Sequence, residues 1–254
     1  YDIPFGNGAT HAIHLAEGLD GNIIYHNDPD LVYSLNSNTG TKNWHVTQSF
    51  SGDTEPVIAA DGNIYGANSS SLFSMSRIDG SILWSKSITG INGPIVLVPD
   101  SLGDGTPGSG GMIFSAGPTM YWVDKSGNVM WSQYTGDNAS SGLTVDGNGK
   151  VYYPQVNDGG LIVFDLASKT KLTEFNDYSN PAGSDPTGPV IAQDGTLYWS
   201  VRTKIYALQP SPFASYEAYV VLNNSIVKVD AETGSTETVV SGLTYNEVEG
   251  FTHD

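Results

Sequence analysis

Apolar residues along this chain come in short runs and never at a sustained helical period. Runs such as "PVIAA" (56–60), "PIVLVP" (94–99) and "PVIAQ" (189–193) each lead into an Asp-Gly or Gly-rich stretch. A second run carrying an aromatic follows, as at Ile64-Tyr65 and Leu197-Tyr198. After a polar turn comes a third run ("LFSMS", "MYWVD", "IYALQ"), then a "TG", "DG" or "SG" turn and a fourth run. Brief apolar stretches bounded by Gly, Asp, Asn and Ser are strands joined by tight hairpins, because Gly after Asp, Asn or Ser accepts the positive φ that such turns need. The pattern predicts strands throughout.

The same order of runs and turns recurs. Residues 20–44, 61–84, 110–131 and 147–175 align well, and 194–210 and 218–240 align as a fifth and a sixth copy. In the first three copies the fourth run carries a Trp: Trp44, Trp84 and Trp131. The fourth and sixth copies have lost it. Four antiparallel strands in each repeat of this length are the pattern of a β-propeller blade. The prediction is one all-β domain over residues 1–254, a propeller of four-stranded blades. At about 42 residues per blade, 254 residues correspond to six blades, with five or seven as alternatives. The fifth copy lacks a clear fourth strand and the sixth a clear first one. The segment "NEVEGFTHD" (246–254) reads as a further first strand without partners, so a fragment of a longer chain is one reading.

On this plan each Trp sits after the last turn, on the outer strand, where its ring can cover the gap between one blade and the next. Burying a ring of that size is worth roughly 2–3 kcal/mol. Trp44, Trp84 and Trp131 are therefore expected to be structural staples, and Trp122, Trp199, Tyr152, Tyr153 and Tyr206, on second or third strands, to be mostly packing. The repeat "DGNIY…LFSM…DGSILW" resembles the pyrroloquinoline-quinone-like (PQQ-like) propeller repeat over residues 10–240. That resemblance implies the propeller fold. The family holds quinone-dependent dehydrogenases, which typically place a vicinal Cys pair at the cofactor, and cofactor-free binding propellers. With no Cys in the chain, the resemblance implies the non-enzymatic branch and no quinone.

Composition narrows the partners. There are 27 acidic and 10 basic side chains, a formal net charge of −17. Nucleic acid and anionic membrane surfaces are thereby disfavoured, since both ask for a basic footprint. No apolar run approaches the roughly 18 residues of a membrane-spanning helix, so no membrane insertion is expected. The acidity suits cations, Ca²⁺ above all. The absence of Cys excludes disulfides, thiol nucleophiles and Cys-ligated zinc. The chain starts at Tyr1 with no signal-like segment, which reads as a mature chain or one from which a targeting segment has gone. Sequons at Asn68, Asn138 and Asn223 fall in predicted turns and give modest support to a secreted or cell-surface glycoprotein.

Candidate chemistry sits in two places. Aligned first strands put Thr10, Glu55, Gly93, Ser141, Gly188 and Glu249 at the channel mouth, with His11 and Asn92 beside them. Glu55, Glu249 and His11 there would form an acid/base or cation-binding set; a water-filled polar channel is the alternative. His11 and His14 are three apart on a strand, so they face opposite ways and do not share a metal. The second place is the longest insertion, 98–111. Asp100 and Asp104, followed by Gly105, resemble the start of an Asp-rich calcium loop, which Leu102 interrupts; a plain hairpin loop is the alternative. No nucleophile elbow, phosphate loop or zinc-protease motif occurs. The expected function is a secreted or cell-surface, non-catalytic module recognising glycans or protein partners, with aromatic faces beside Asn and Asp suited to sugars. The alternatives are a structural module of a larger extracellular assembly and a carbohydrate lyase or hydrolase at the channel mouth.

Overall fold

The computed structural model describes residues 14–18, 21–27, 31–48, 50, 54–91, 93–139, 142–157, 159–175, 186–201, 204–209, 217–222, 225–230 and 236–241. Strands β1 (His14–Glu17), β2 (Asn22–Asn27), β3 (Leu31–Asn36) and β4 (Lys42–Thr47) form the first antiparallel sheet. The second holds β5 (Val57–Ile58), β6 (Ile64–Asn68), β7 (Ser71–Met75) and β8 (Ile82–Ser87). The third holds β9 (Val96–Leu97), β10 (Met112–Ala116), β11 (Thr119–Val123) and β12 (Val129–Tyr134). The fourth holds β13 (Thr144–Val145), β14 (Lys150–Pro154), β15 (Leu161–Asp165) and β16 (Thr170–Phe175). Each is a simple meander, and no α-helix occurs among the described residues. The protein is an all-β propeller.

The fifth sheet is different. It runs β17 (Val190–Ile191), β18 (Leu197–Val201), β19 (Lys204–Gln209), β20 (Glu217–Leu222), β21 (Ser225–Asp230) and β22 (Thr236–Ser241) without interruption. The fifth and sixth sequence repeats thus share one six-stranded sheet. A fifth repeat with no outer strand of its own leaves β19 an open edge, and β20 pairs with it. The described strands therefore fall into five sheets, and six blades remain an expectation from repeat length.

Why the strands pack as blades is visible in their burial. β10 is buried on both faces, as are most of β6, β7 and β15, whereas the outer strands β8 and β12 are mostly exposed. A strand buried on both faces has a neighbouring sheet on each side. Among the described residues the core accordingly falls into four clusters, each shared by two consecutive sheets. The Asp-Gly turns between first and second strands have a specific chemistry. Asp61 Oδ1 accepts from the Asn63 backbone N–H, and Asp61 Oδ2 accepts from the Tyr65 hydroxyl at 3.0 Å. The Asp thus ends one strand and anchors the aromatic of the next, which explains why the two recur together.

A bulge recurs on the outer pair. Ser34 pairs with Trp44 but Leu35 with Lys42, so Asn43 has no partner across the ladder. The same slip leaves out Leu83, Met130, Leu172 and Val239. Bulges increase local twist, and here each of the first three precedes the Trp.

Candidate functional site

Trp44 donates its indole N–H to the Arg77 carbonyl in the second sheet's last turn, at 2.9 Å, and lies on Gly80. Trp84 repeats this one sheet on, donating to the Lys125 carbonyl at 2.8 Å and lying on Gly127. In the fourth sheet the glycine position is taken by Lys169, at φ +57°. Trp131 there meets Phe164 edge-on at 5.8 Å, and Lys169 reaches back to the Met130 carbonyl at 3.1 Å.

The insertion 98–111 lies at the end of the molecule that carries the first-to-second and third-to-fourth strand turns. Its Gly108 abuts Asp61 of the second sheet, and its Leu102 packs on Gly149 of the fourth. It straps three consecutive sheets. Asp100 Oδ1 accepts from the Gly110 N–H at 3.1 Å, and Asp104 Oδ1 accepts from the N–H and hydroxyl of Thr106 at 2.9 and 2.6 Å. These bonds hold the Asp104 carboxyl below the usual carboxylate range. Asp100 also borders a cleft of about 230 Å³ walled by Ala59, Ala60, Leu97, Val98 and Pro99. Among the described residues no three His, Asp or Glu side chains gather as metal ligands would.

At the opposite end, Glu55 is exposed beside the buried Thr54, whose hydroxyl donates to the Ala67 carbonyl at 2.7 Å. Gly93 and Gly188 begin the third and fifth first-strand segments. Thr10, His11, Asn92, Ser141, Glu249 and Asn223 lie outside the described residues. Asn68 caps its own hairpin, its Oδ1 accepting from the N–H groups of Ser70 and Ser71. Asn138 is half-buried, its backbone N–H bonded to Asp137 Oδ1 at 2.7 Å.

Asp137 begins a site with no counterpart elsewhere among the described residues. It lies between the third and fourth sheets, 5% exposed. Its carboxylate accepts from the backbone N–H of Asn138 and from the backbone and side-chain N–H groups of Asn157. Tyr153 donates its hydroxyl to the Asp137 carbonyl at 2.7 Å and lies 3.1 Å from the Ser115 and Thr135 hydroxyls. Burial pushes the Tyr153 phenol up, and the Asp137 charge adds to this. Gln155, also 5% exposed, offers its amide N–H to the Thr135 carbonyl at 3.5 Å, and its Oε1 has no partner.

Comparison with the preceding pair of sheets shows what is new here. Gly117 N–H bonds to the Gly90 carbonyl as Val156 N–H bonds to the Asn138 carbonyl. Ladder positions match likewise: Ile113 opposite Trp122, Tyr152 opposite Val163. Tyr153 thus stands where the earlier blade has Phe114, and Gln155 where it has Ala116. Asp137 is an added residue in a connection one residue longer (Trp84 to Ile95 against Trp131 to Leu143). Relative to that preceding blade, a hydroxyl, an amide and a carboxylate enter at one place, while Asn27 and Asn68 of the first two sheets share the ladder position of Gln155. Sequence reading passed over Asp137 and Gln155. Neither carried a distinct signal along the chain, since the connection from Trp44 to Pro56 is equally long and Asn27 and Asn68 hold the ladder position of Gln155.

The fold is shared with known propellers. No family profile matches the chain, and no curated protein does. Streptogramin B lyase is similar in structure, with a TM-score of 0.59 at 15% identity, over 81% of this chain and 66% of that one. Hydrazine synthase of Kuenenia stuttgartiensis gives 0.56 at 13%, over 91% and 70%. BamB of Moraxella catarrhalis gives 0.49 at 14%, over 90% and 84%. At such identities the likeness concerns the fold. Among the described residues no helix is long and apolar enough to cross a membrane.

Proposed function

We propose that this propeller is a non-catalytic binding module of the PQQ-like repeat type, secreted or displayed at a cell surface, that docks protein partners within a larger assembly. The observation that carries this reading is on the outer strands. The bulge residues Leu83, Met130 and Leu172 are exposed on three consecutive sheets, with Tyr134 at 69% exposure beside them. Apolar side chains on an open strand edge are costly to leave in water and invite pairing with another chain. The fold does not need them there, since Asn43 occupies the same bulge in the first sheet. Glycans are the second reading, favoured by the exposed Tyr134 and Tyr198 rings. The sequons at Asn68 and Asn138 fit a secreted chain.

The test is sedimentation and cross-linking of the chain with its native secreted or surface fraction, using a photo-cross-linker at Met130 or Leu172. Adducts at these positions, absent from a cross-linker at Lys204, support rim docking. Adducts nowhere on the rim, with a thermal shift from a glycan panel, would replace it with the sugar-binding reading.

A further inference from the structure

We propose that the site between the third and fourth sheets binds a hard cation, with Ca²⁺ as the fitting ion, through the Asp137 carboxylate and Gln155 Oε1. The argument starts from charge. Asp137 is buried, and its partners are N–H groups of Asn138 and Asn157, none of them charged. A buried carboxylate without a cation is expensive, and N–H groups offset only part of that cost. Gln155 adds a second unmet demand, an amide oxygen shielded from solvent with no donor.

The oxygens nearby point the same way. Thr135 Oγ1 has one proton and three acceptors within reach, the carbonyls of Pro118 and Asp137 and the Tyr153 hydroxyl. The Thr135 backbone N–H already serves the Pro118 carbonyl and the Tyr153 hydroxyl the Asp137 carbonyl, so Gln155 Oε1 is the oxygen of this site left without a hydrogen. Carboxylate, amide and main-chain oxygens together are the ligand set of Ca²⁺. A buried water would satisfy Gln155 but would leave the charge of Asp137 unchanged. Asn157 is exposed, so the site lies just under the surface and an ion has a short way in. The preceding blade, with Phe114 and Ala116 in these positions, is fully packed without any of this chemistry. The polar set is thus an addition to the fold and not a requirement of it.

Calorimetric titration of the EDTA-treated, desalted full chain with CaCl₂ tests this, alongside Gln155→Met and Gln155→Glu. Met keeps the volume and removes the oxygen, whereas Glu adds a charge to the ligand set. One Ca²⁺ per chain is expected in the wild type, weakened about tenfold or more by Gln155→Met and tightened by Gln155→Glu, as ligand charge sets calcium affinity. Asp104→Asn should leave binding unchanged. Tb³⁺ bound in place of Ca²⁺ should luminesce on excitation of the adjacent Tyr153. No binding up to about 10 mM, well beyond the weakest calcium modules, would overturn the proposal. So would binding that Asp104→Asn abolishes, or binding that a folded Gln155→Glu chain leaves unaltered.

Discussion

The indole of Trp84 rests on Gly127. A Cβ at Gly127 would lie 2.8 Å from Trp84 Cζ3, and the backbone there has φ +79°. Two requirements coincide at one residue: the left-handed turn and the room for a ring from the sheet before. Gly40 shares the φ, at +68°, but has nothing within 4 Å. Gly40→Ala should therefore cost about 1 kcal/mol, the left-handed penalty alone. Gly127→Ala should cost about 3 kcal/mol or more, because the Trp84 ring and the Lys86 stem, whose Cγ is also 2.8 Å from that Cβ, must both give way. Chemical denaturation of the two variants separates strain from steric fit; equal losses would mean the ring does not rest there.

Trp84→Phe keeps much of the packing and loses the bond to the Lys125 carbonyl. A loss of about 1–2 kcal/mol is expected. Trp84→Ala empties the gap between the second and third sheets and should cost about 3–5 kcal/mol, measured as a fall in the denaturant midpoint.

Lys169 is the one non-glycine residue at positive φ among the described residues. Lys169→Ala loses the contact with the Met130 carbonyl and the approach to the Trp122 ring at 6.0 Å while keeping the strained backbone. It should destabilise by about 1 kcal/mol. Lys169→Gly loses the same contacts but relieves the backbone, and should be more stable than the alanine variant. The order of the two melting temperatures checks this.

Leu102 fastens the insertion to the fourth sheet at Gly149. Leu102→Ala should cost about 1–2 kcal/mol, below the range for a fully buried leucine because Leu102 is only partly buried. Amide exchange should quicken across 98–111 and at the Asp61 turn it covers, and stay unchanged in β18 and β19.

Burial raises the phenol pKa of Tyr65, and the neighbouring Asp61 charge raises it further. A group whose folded pKa lies above its unfolded value of about 10 contributes stability that is fully present below that value. It is lost as pH rises from there toward the folded pKa. Stability should therefore fall above about pH 10, and Tyr65→Phe should make the fall shallower. The pH dependence of urea unfolding measures this; an unchanged slope would place the alkaline sensitivity elsewhere, with Tyr153 next in line.

Much of this architecture is legible along the chain because a propeller is built from local hairpins. Asp61, Gly62 and Tyr65 act within five residues of each other, and so do Gly80 and Trp84, so their spacing carries their roles. Sheet order within a blade follows from short turns. The propeller class, the strand sequence and the outer-strand placement of the tryptophans were accordingly within reach of sequence alone. Partnership between blades was not. That Trp44 ends on Gly80 and Leu102 on Gly149 depends on how twisted sheets stack, which sums small rotations over whole strands. The pairing of β20 with β19 likewise joins two sequence repeats in one sheet, which the repeat pattern along the chain did not indicate. Asp137 and Gln155 show the same limit most plainly. They are 18 residues apart and unremarked in their own turns. Only the approach of the third and fourth sheets makes one a buried charge and the other a buried oxygen without a donor, because burial and desolvation are properties of the assembled interface.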